Sequence, residues 1–415
     1  MSHRLVVGVC LLLVLAACGE DAESTTTTAV STTTTVTTAA GVGTSWERAP
    51  DEQEAFGGTA YQEMMAVTEG GPGLVAVGWQ ETDSQKDAAV WTSEDGSNWL
   101  RVPFDETTFG GAFEQMMTSV VAAGPGLVAV GWTSSEVDVD AGVWTSADGL
   151  TWSPVPADPV ALGGPDWQGM NSVTVGGPGL VAVGFEWSEG ERHAAVWTSV
   201  DGLAWTRVPH DEAVFDGPGE QMMNAVTAGG PGLVAVGLES SYYDAAAAVW
   251  TSADGLVWTR VPHDEAVFGG PSDQTMRSVT TSWSGLVAAG GDESGVDMAA
   301  AVWTSPDGLV WTRVPHDEAV FGGPDWQRIN SVVASGTLVV AVGFDWSGGD
   351  LDGAAWASSD GVIWWRVPHD EAAFGGTEDQ RIEYAVAWGS GVVAVGWTGS
   401  AAGHRPAVWL ARPAD

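Results

Sequence analysis

The chain has 415 residues, with 54 acidic side chains against 14 basic ones and a formal net charge of −40. Lys86 is its only lysine, which excludes nucleic acid and anionic lipid headgroups as natural partners, since both are bound through Lys and Arg. Its two cysteines, Cys10 and Cys18, both lie in the N-terminal segment, so no disulfide framework carries the fold.

In chain order, Met1 to Arg4 is a short basic start, Leu5 to Leu15 an apolar core and Leu15-Ala-Ala-Cys18 a small-residue cleavage site. The apolar stretch is shorter than the roughly 20 residues of a membrane span. The segment is similar to a bacterial lipoprotein signal, which is set aside before fold reasoning. The resemblance implies loss of residues 1–17 and lipidation of Cys18, giving an extracytoplasmic protein anchored to the cell membrane or envelope. An ordinary secretory signal containing a chance cysteine is the alternative. Residues 18–43 follow as a Thr-rich linker, with Thr25 to Thr28 and Thr32 to Thr35 among Ala, Ser and Val. Without apolar periodicity this segment reads as a disordered stalk.

From residue 44 to 415 the sequence repeats every 53 residues. One series is Trp91, Trp144, Trp197, Trp250, Trp303, Trp356 and Trp409; a second is Trp46, Trp99, Trp152, Trp205, Trp258, Trp311 and Trp364. A third is Gln62, Gln115, Gln168, Gln221, Gln274, Gln327 and Gln380. Each unit reads as four short strands rich in Val and Trp, broken at Gly, Pro and Asp, which is the pattern of a β-propeller blade. Trp46-Glu-Arg-Ala-Pro50 matches only a fourth strand, whereas Gln380 to Leu410 supplies only the first three. The expected fold is therefore all-β: a seven-bladed propeller closed by pairing of the N-terminal strand with the last blade, which removes exposed sheet edges.

Six turns read Ser-x-Asp-Gly-x-x-Trp, centred on Asp95, Asp148, Asp201, Asp254, Asp307 and Asp360. Asp accepts backbone N–H groups there, Gly tolerates positive φ and Trp packs the hairpin onto the blade. The motif resembles the Asp-box, or BNR repeat, of sialidase-like propellers, although the family places one residue between Asp and Gly and here the two are adjacent. The resemblance implies that the boxes are structural and lie away from any active site. It also implies what an active member would carry: three arginines gripping a carboxylate, a Tyr/Glu nucleophile pair and an acidic proton donor.

Arg277, Arg328 and Arg381 stand three, one and one residues after the repeated Gln in consecutive units, and Glu383-Tyr384 follows. Their offsets share parity, so all three leave the same side of their strands. They can hold a carboxylate or phosphate bidentately, or each can pair with a neighbouring acid between blades. The triplets beginning at His210, His263, His316 and His369 contain metal-ligand types, but recur in near-identical strings a blade apart. Loop ordering is the favoured role, so no metal site is assigned. The repeated Gln shares parity with Met64, Met117, Met170, Met223, Met276, Ile329 and Ile382, which predicts burial near the ring's centre with amides bonded between blades. The loop between second and third strands varies most and brings Trp187, Tyr242, Tyr243 and Trp346 among acids, a candidate recognition surface on a rigid scaffold.

The resulting expectation is a lipid-anchored, non-catalytic binding or scaffold module for a protein, peptide or glycan on the loop face. A sialidase-like glycoside hydrolase is the alternative. No catalytic residue is assigned and no cofactor is expected, calcium being the one candidate. Nothing in the sequence speaks to self-association.

Overall fold

The computed structural model describes residues 44–413, apart from 51–52, 58–60, 125, 165, 189, 218, 241–243, 296, 347–348 and 401–402. The expected signal, the stalk and Cys18 lie outside the described residues. Seven four-stranded antiparallel sheets form a seven-bladed β-propeller. In blade 4 the strands are Gln221–Gly229, Gly232–Ser240, Ala245–Ser252 and Trp258–Arg260, and they pair in that order from the axis outward. Blade 7 takes its fourth strand from the N-terminus: Thr44–Arg48 pairs antiparallel with Gly403–Pro413, Trp46 opposite Ala411. The innermost strand Asp379–Trp388 of that blade packs on Gln62–Gly70 of blade 1, so the ring is closed as the out-of-phase repeats predict.

The core lies between neighbouring blades rather than within one. Val234, Val236 and Val249 of blade 4 pack with Met276, Leu286 and Trp303 of blade 5, and the same arrangement recurs around the ring. All seven third-strand tryptophans are fully buried. Each donates its indole N–H to a carbonyl 36 residues earlier, in the segment entering its own blade: Trp250 to Val214 at 2.8 Å, Trp91 to Ala55 at 3.0 Å, Trp409 to Ala373 at 2.7 Å. A large apolar body and one obligate donor thus fix the entering segment onto the blade. On its ring face, Trp250 carries the Arg260 guanidinium, 5.4 Å from the centroid, and Arg260 pairs with Glu239 at 2.5 Å. The same stack of acid, arginine and tryptophan recurs at Arg207, Arg313 and Arg366, so these arginines belong to the frame.

The Ser-x-Asp-Gly turns order themselves. In the fourth, Gly255 N–H donates to Ser252 Oγ at 2.8 Å, and Asp254 Oδ1 accepts the N–H groups of Leu256 and Val257 at 2.9 Å each. These backbone bonds hold the Asp254 carboxyl below its ordinary range. Gly255 has φ +79°, and its carbonyl accepts the Trp258 indole at 3.0 Å. Trp46 follows no such turn, and its buried indole nitrogen has no partner among the described residues. Each turn also braces its neighbour. At Gly230, with φ +56°, a Cβ would come within 2.7 Å of the Asp307 carbonyl, so only glycine fits between the two blades.

Replacing Trp250 by Phe keeps most of the buried ring but leaves the Val214 carbonyl without its donor. We expect a loss of about 1–3 kcal/mol in urea unfolding. An unchanged midpoint would show that the indole bond is dispensable.

Candidate functional site

Every innermost strand carries one extra residue just after its buried Met or Ile, seen as a register shift against the second strand. The bulged residues are Met65, Thr118, Asn171, Asn224, Arg277, Asn330 and Glu383. They line an axial cavity of about 310 Å3. A bulge re-aims side chains, and in four blades it turns a polar group toward the next. Asn171 Nδ2 donates to Met223 O at 2.9 Å, Asn224 Nδ2 to Met276 O at 2.8 Å, Asn330 Nδ2 to Ile382 O at 2.8 Å and Thr118 Oγ1 to Met170 O at 2.7 Å. Met65, Arg277 and Glu383 supply no such bond.

Where the ladder breaks, the arginines gather. Arg277 shares the axial cavity with Glu383 and Tyr384, and a side pocket of about 110 Å3 with Arg328. Arg328 and Arg381 both lie over the ring of Phe344, at 4.9 and 5.5 Å. Arg381 Nε is 2.7 Å from Glu383 Oε1 on its own strand, and Arg328 Nε donates to Asn330 Oδ1 at 3.1 Å. Arg277 makes no hydrogen bond or ion pair among the described residues. The three are thus brought together, and only Arg381 has the acid partner that inter-blade pairing would require, on its own strand rather than a neighbour's. Burial, then Arg277 and Arg381 beside it, push the Arg328 guanidinium down to about 9. Burial, with Glu383 opposing, lowers Arg277 as well. Two enclosed guanidinium groups with unpaired ends are an unfavourable arrangement unless an anion joins them.

The repeated glutamines require a correction. All except the half-buried Gln115 are buried; the amides that find a partner bond inside their own blade, and the Gln221 amide has none among the described residues. Gln274 Nε2 reaches Ser272 O at 2.7 Å and Ser294 Oγ at 2.7 Å, and Gln327 Nε2 reaches Asp345 Oδ1 at 3.0 Å. Gln274 ties the entering segment to the second-strand side, while Gln62, Gln115 and Gln380 bond the entering segment alone; four of the bulged residues, not the glutamines, join the blades. The histidine triplets order loops: Asp264 Oδ1 accepts Ala266 N–H at 3.0 Å, and His263 lies 3.2 Å from Glu239 and 3.1 Å from Glu265. A hollow of about 410 Å3 bounded by Asp292, His316, Glu318 and Asp325 recurs at about 350 Å3 around Glu239, His263 and Glu265. That recurrence marks it as architecture. Among the described residues no three His, Cys, Asp or Glu groups are placed to hold a metal ion.

Of the loop aromatics, Tyr242 and Tyr243 lie outside the described residues. Trp187 stands near the end of the second strand Gly179–Ser188 and Trp346 just after the second strand Leu338–Asp345, and each meets a tryptophan outside the repeated series. Trp187 pairs with Trp167 (centroids 6.4 Å) and Trp346 with Trp326 (5.8 Å, edge to face). Trp167 and Trp326 precede Gln168 and Gln327 directly, in the only two Asp-Trp-Gln strings, which was the available signal. Trp326 is two residues from Arg328, so this exposed pair lies next to an arginine-bearing strand.

No protein-family model matches the chain, and no curated protein matches it in sequence. Among solved structures, the sialidase of Trypanosoma rangeli in complex with the inhibitor DANA is similar at 14% identity over 70% of this chain, with TM-score 0.47. The chain spans 54% of the length of that sialidase. A GH32 β-fructofuranosidase of Bombyx mori matches at 9% identity, over 89% of this chain and 91% of that one, with TM-score 0.37. A putative glycosidase of Bacteroides thetaiotaomicron matches at 14% identity, over 88% and 96%, also with TM-score 0.37.

Asparagine is the bulged residue in three other blades, so Arg277→Asn places an inter-blade donor where an unpaired cation now stands. We expect stability to rise by about 1 kcal/mol, read as a higher unfolding midpoint. A lower midpoint would mean that Arg277 supports the ring itself.

Proposed function

We propose that this propeller is a lipid-anchored extracytoplasmic binding module that holds a carboxylate-bearing ligand at Arg277, Arg328 and Arg381. The observation that carries this reading is the gathering of three arginines in one sector of the channel, two without an acid partner, in a chain with net charge −40. With so many carboxylates available, pairing them internally would have been simple. Guanidinium groups left unpaired in an enclosed site suit bidentate recognition of an incoming carboxylate. The exposed Trp326–Trp346 pair beside the Arg328 strand adds flat apolar surface for a peptide or sugar portion of the same ligand. The Ser-x-Asp-Gly turns support kinship with Asp-box propellers, and they serve the frame rather than the site.

Hydrolysis of an acidic sugar is the second reading, favoured by Glu383 and Tyr384 in the same cavity as Arg277. Against it, Glu383 is engaged by Arg381, and burial raises the Tyr384 phenol further from the anionic form.

Calorimetry on the intact protein with N-acetylneuraminate and glucuronate, each beside its neutral methyl ester, tests the binding reading. The free acids should bind and the esters should not, and Arg328→Ala should weaken binding at least tenfold. Equal behaviour of acid and ester would sink it. A fluorogenic sialoside turned over by the wild-type protein, with loss in Tyr384→Phe, would establish the hydrolase instead. For the anchor, Cys18→Ala should release the protein from membranes into the medium; continued membrane association would refute lipidation at Cys18.

A further inference from the structure

Blade 5 departs from the other six at one position of its second strand. Trp79, Trp132, Phe185, Leu238, Phe344 and Trp397 stand cross-strand from the residue that follows the repeated Gln. In blade 5 that place is Gly291, opposite Thr275. Where blade 6 has Phe344 beneath two guanidinium groups, blade 5 has an opening. It is the 110 Å3 side pocket, lined from blades 4, 5 and 6, with Arg277 and Arg328 and also Asp273 and Glu293 among its walls.

The lining thus holds charges of both signs. Arg277 has no partner among the described residues. The Glu293 side chain likewise makes no hydrogen bond or ion pair among them, and burial, with Asp273 beside it, raises its pKa against the pull of Arg328. Asp273 Oδ1 accepts the Ala245 N–H at 2.7 Å, the one side-chain bond it makes among the described residues. We infer that the Gly291 pocket is the specificity pocket of the arginine site. It takes a ligand with a protonated amine near its carboxylate, the carboxylate on Arg277 and Arg328, the amine toward Glu293 and Asp273. The inference rests on the reading of the arginines as a carboxylate site. A zwitterion satisfies both signs at once and, having no net charge, meets no long-range repulsion from an acidic protein.

Gly291 offers a direct test. A Cβ there would meet Arg328 Cγ and Met298 Sδ at 3.4 Å, ordinary contact with flexible side chains, so Gly291→Leu fits the backbone and fills the pocket with the residue that blade 4 carries. Calorimetry on the full chain would compare glycine, β-alanine and 4-aminobutyrate with acetate, propionate and butyrate, their amine-free counterparts. At least one amino acid should bind tenfold or more tightly than its counterpart. Gly291→Leu should cut that preference below threefold with the unfolding midpoint unchanged. Should that variant fail to fold, Glu293→Gln carries the test, losing the preference while retaining carboxylate binding. Equal binding of the two series, or a preference that survives both substitutions, overturns the inference alone. Binding by neither series overturns it together with the arginine reading.

Discussion

The ring depends on the buried third-strand tryptophan and its single indole N–H. A sheet of four short strands cannot bury both faces by itself; its core exists only once a neighbour is packed against it. The tryptophan makes that packing specific. Its body fills the space between blades, while its N–H fixes the segment that arrives from the previous blade, 36 residues earlier in each case. Seven copies of one bond set where each blade begins relative to where the last one ended. Closure by Thr44–Arg48 follows, because the seventh blade has three strands from the C-terminus and lacks a fourth.

Regularity of this kind makes exceptions informative. Around the axis, four of the seven bulged residues donate to the next blade, and four serine contacts reinforce the junctions, such as Val332 N–H to Ser278 Oγ at 3.1 Å. A side chain that abandons this role gives up a favourable contact that its neighbours show to be available. Arg277 does so, and it also brings an enclosed charge without a counter-ion, which is costly in itself. The same blade lacks the bulky second-strand residue found in all the others. Two departures, on adjacent strands and sharing one pocket, are better explained by a site than by drift, since drift has no reason to place a cavity beside an unpaired cation.

The fold was almost wholly legible because a period of 53 residues repeats its own evidence seven times. Blade number, strand order and the clasp all follow from phase alone. What the sequence hid was hidden by the same repetition. The bulge occurs in every unit and leaves the spacing constant, so nothing in the periodicity betrays it; yet it decides which residues face the axis. Parity placed Arg277 on the right side, although the strand is irregular at that point. It misassigned the glutamine partners, because a side chain on the core side can bond along its own blade as readily as across to the next, and spacing does not distinguish the two. Trp167 and Trp326 were visible as letters but gained meaning only when the structure paired them with Trp187 and Trp346. Gly291, one of 56 glycines, acquires meaning only from its cross-strand partners, which show what stands at that place elsewhere.

Charge connects the surface to the site. A net charge of −40 opposes the approach of any anion, but salt confines that field to roughly 8 Å from exposed groups at physiological ionic strength. Inside the channel, screening is weak and the guanidinium groups act at close range, where each interaction is worth several times its value in bulk water. If the arginines hold a carboxylate as proposed, exterior and interior discriminate in opposite senses: the outside opposes bare anions, and the inside would retain a carboxylate once it arrives. A ligand that is neutral overall but carries separated charges passes the first condition and satisfies the second. The acidic surface and the arginine cluster, contradictory if each is read alone, then describe one selection.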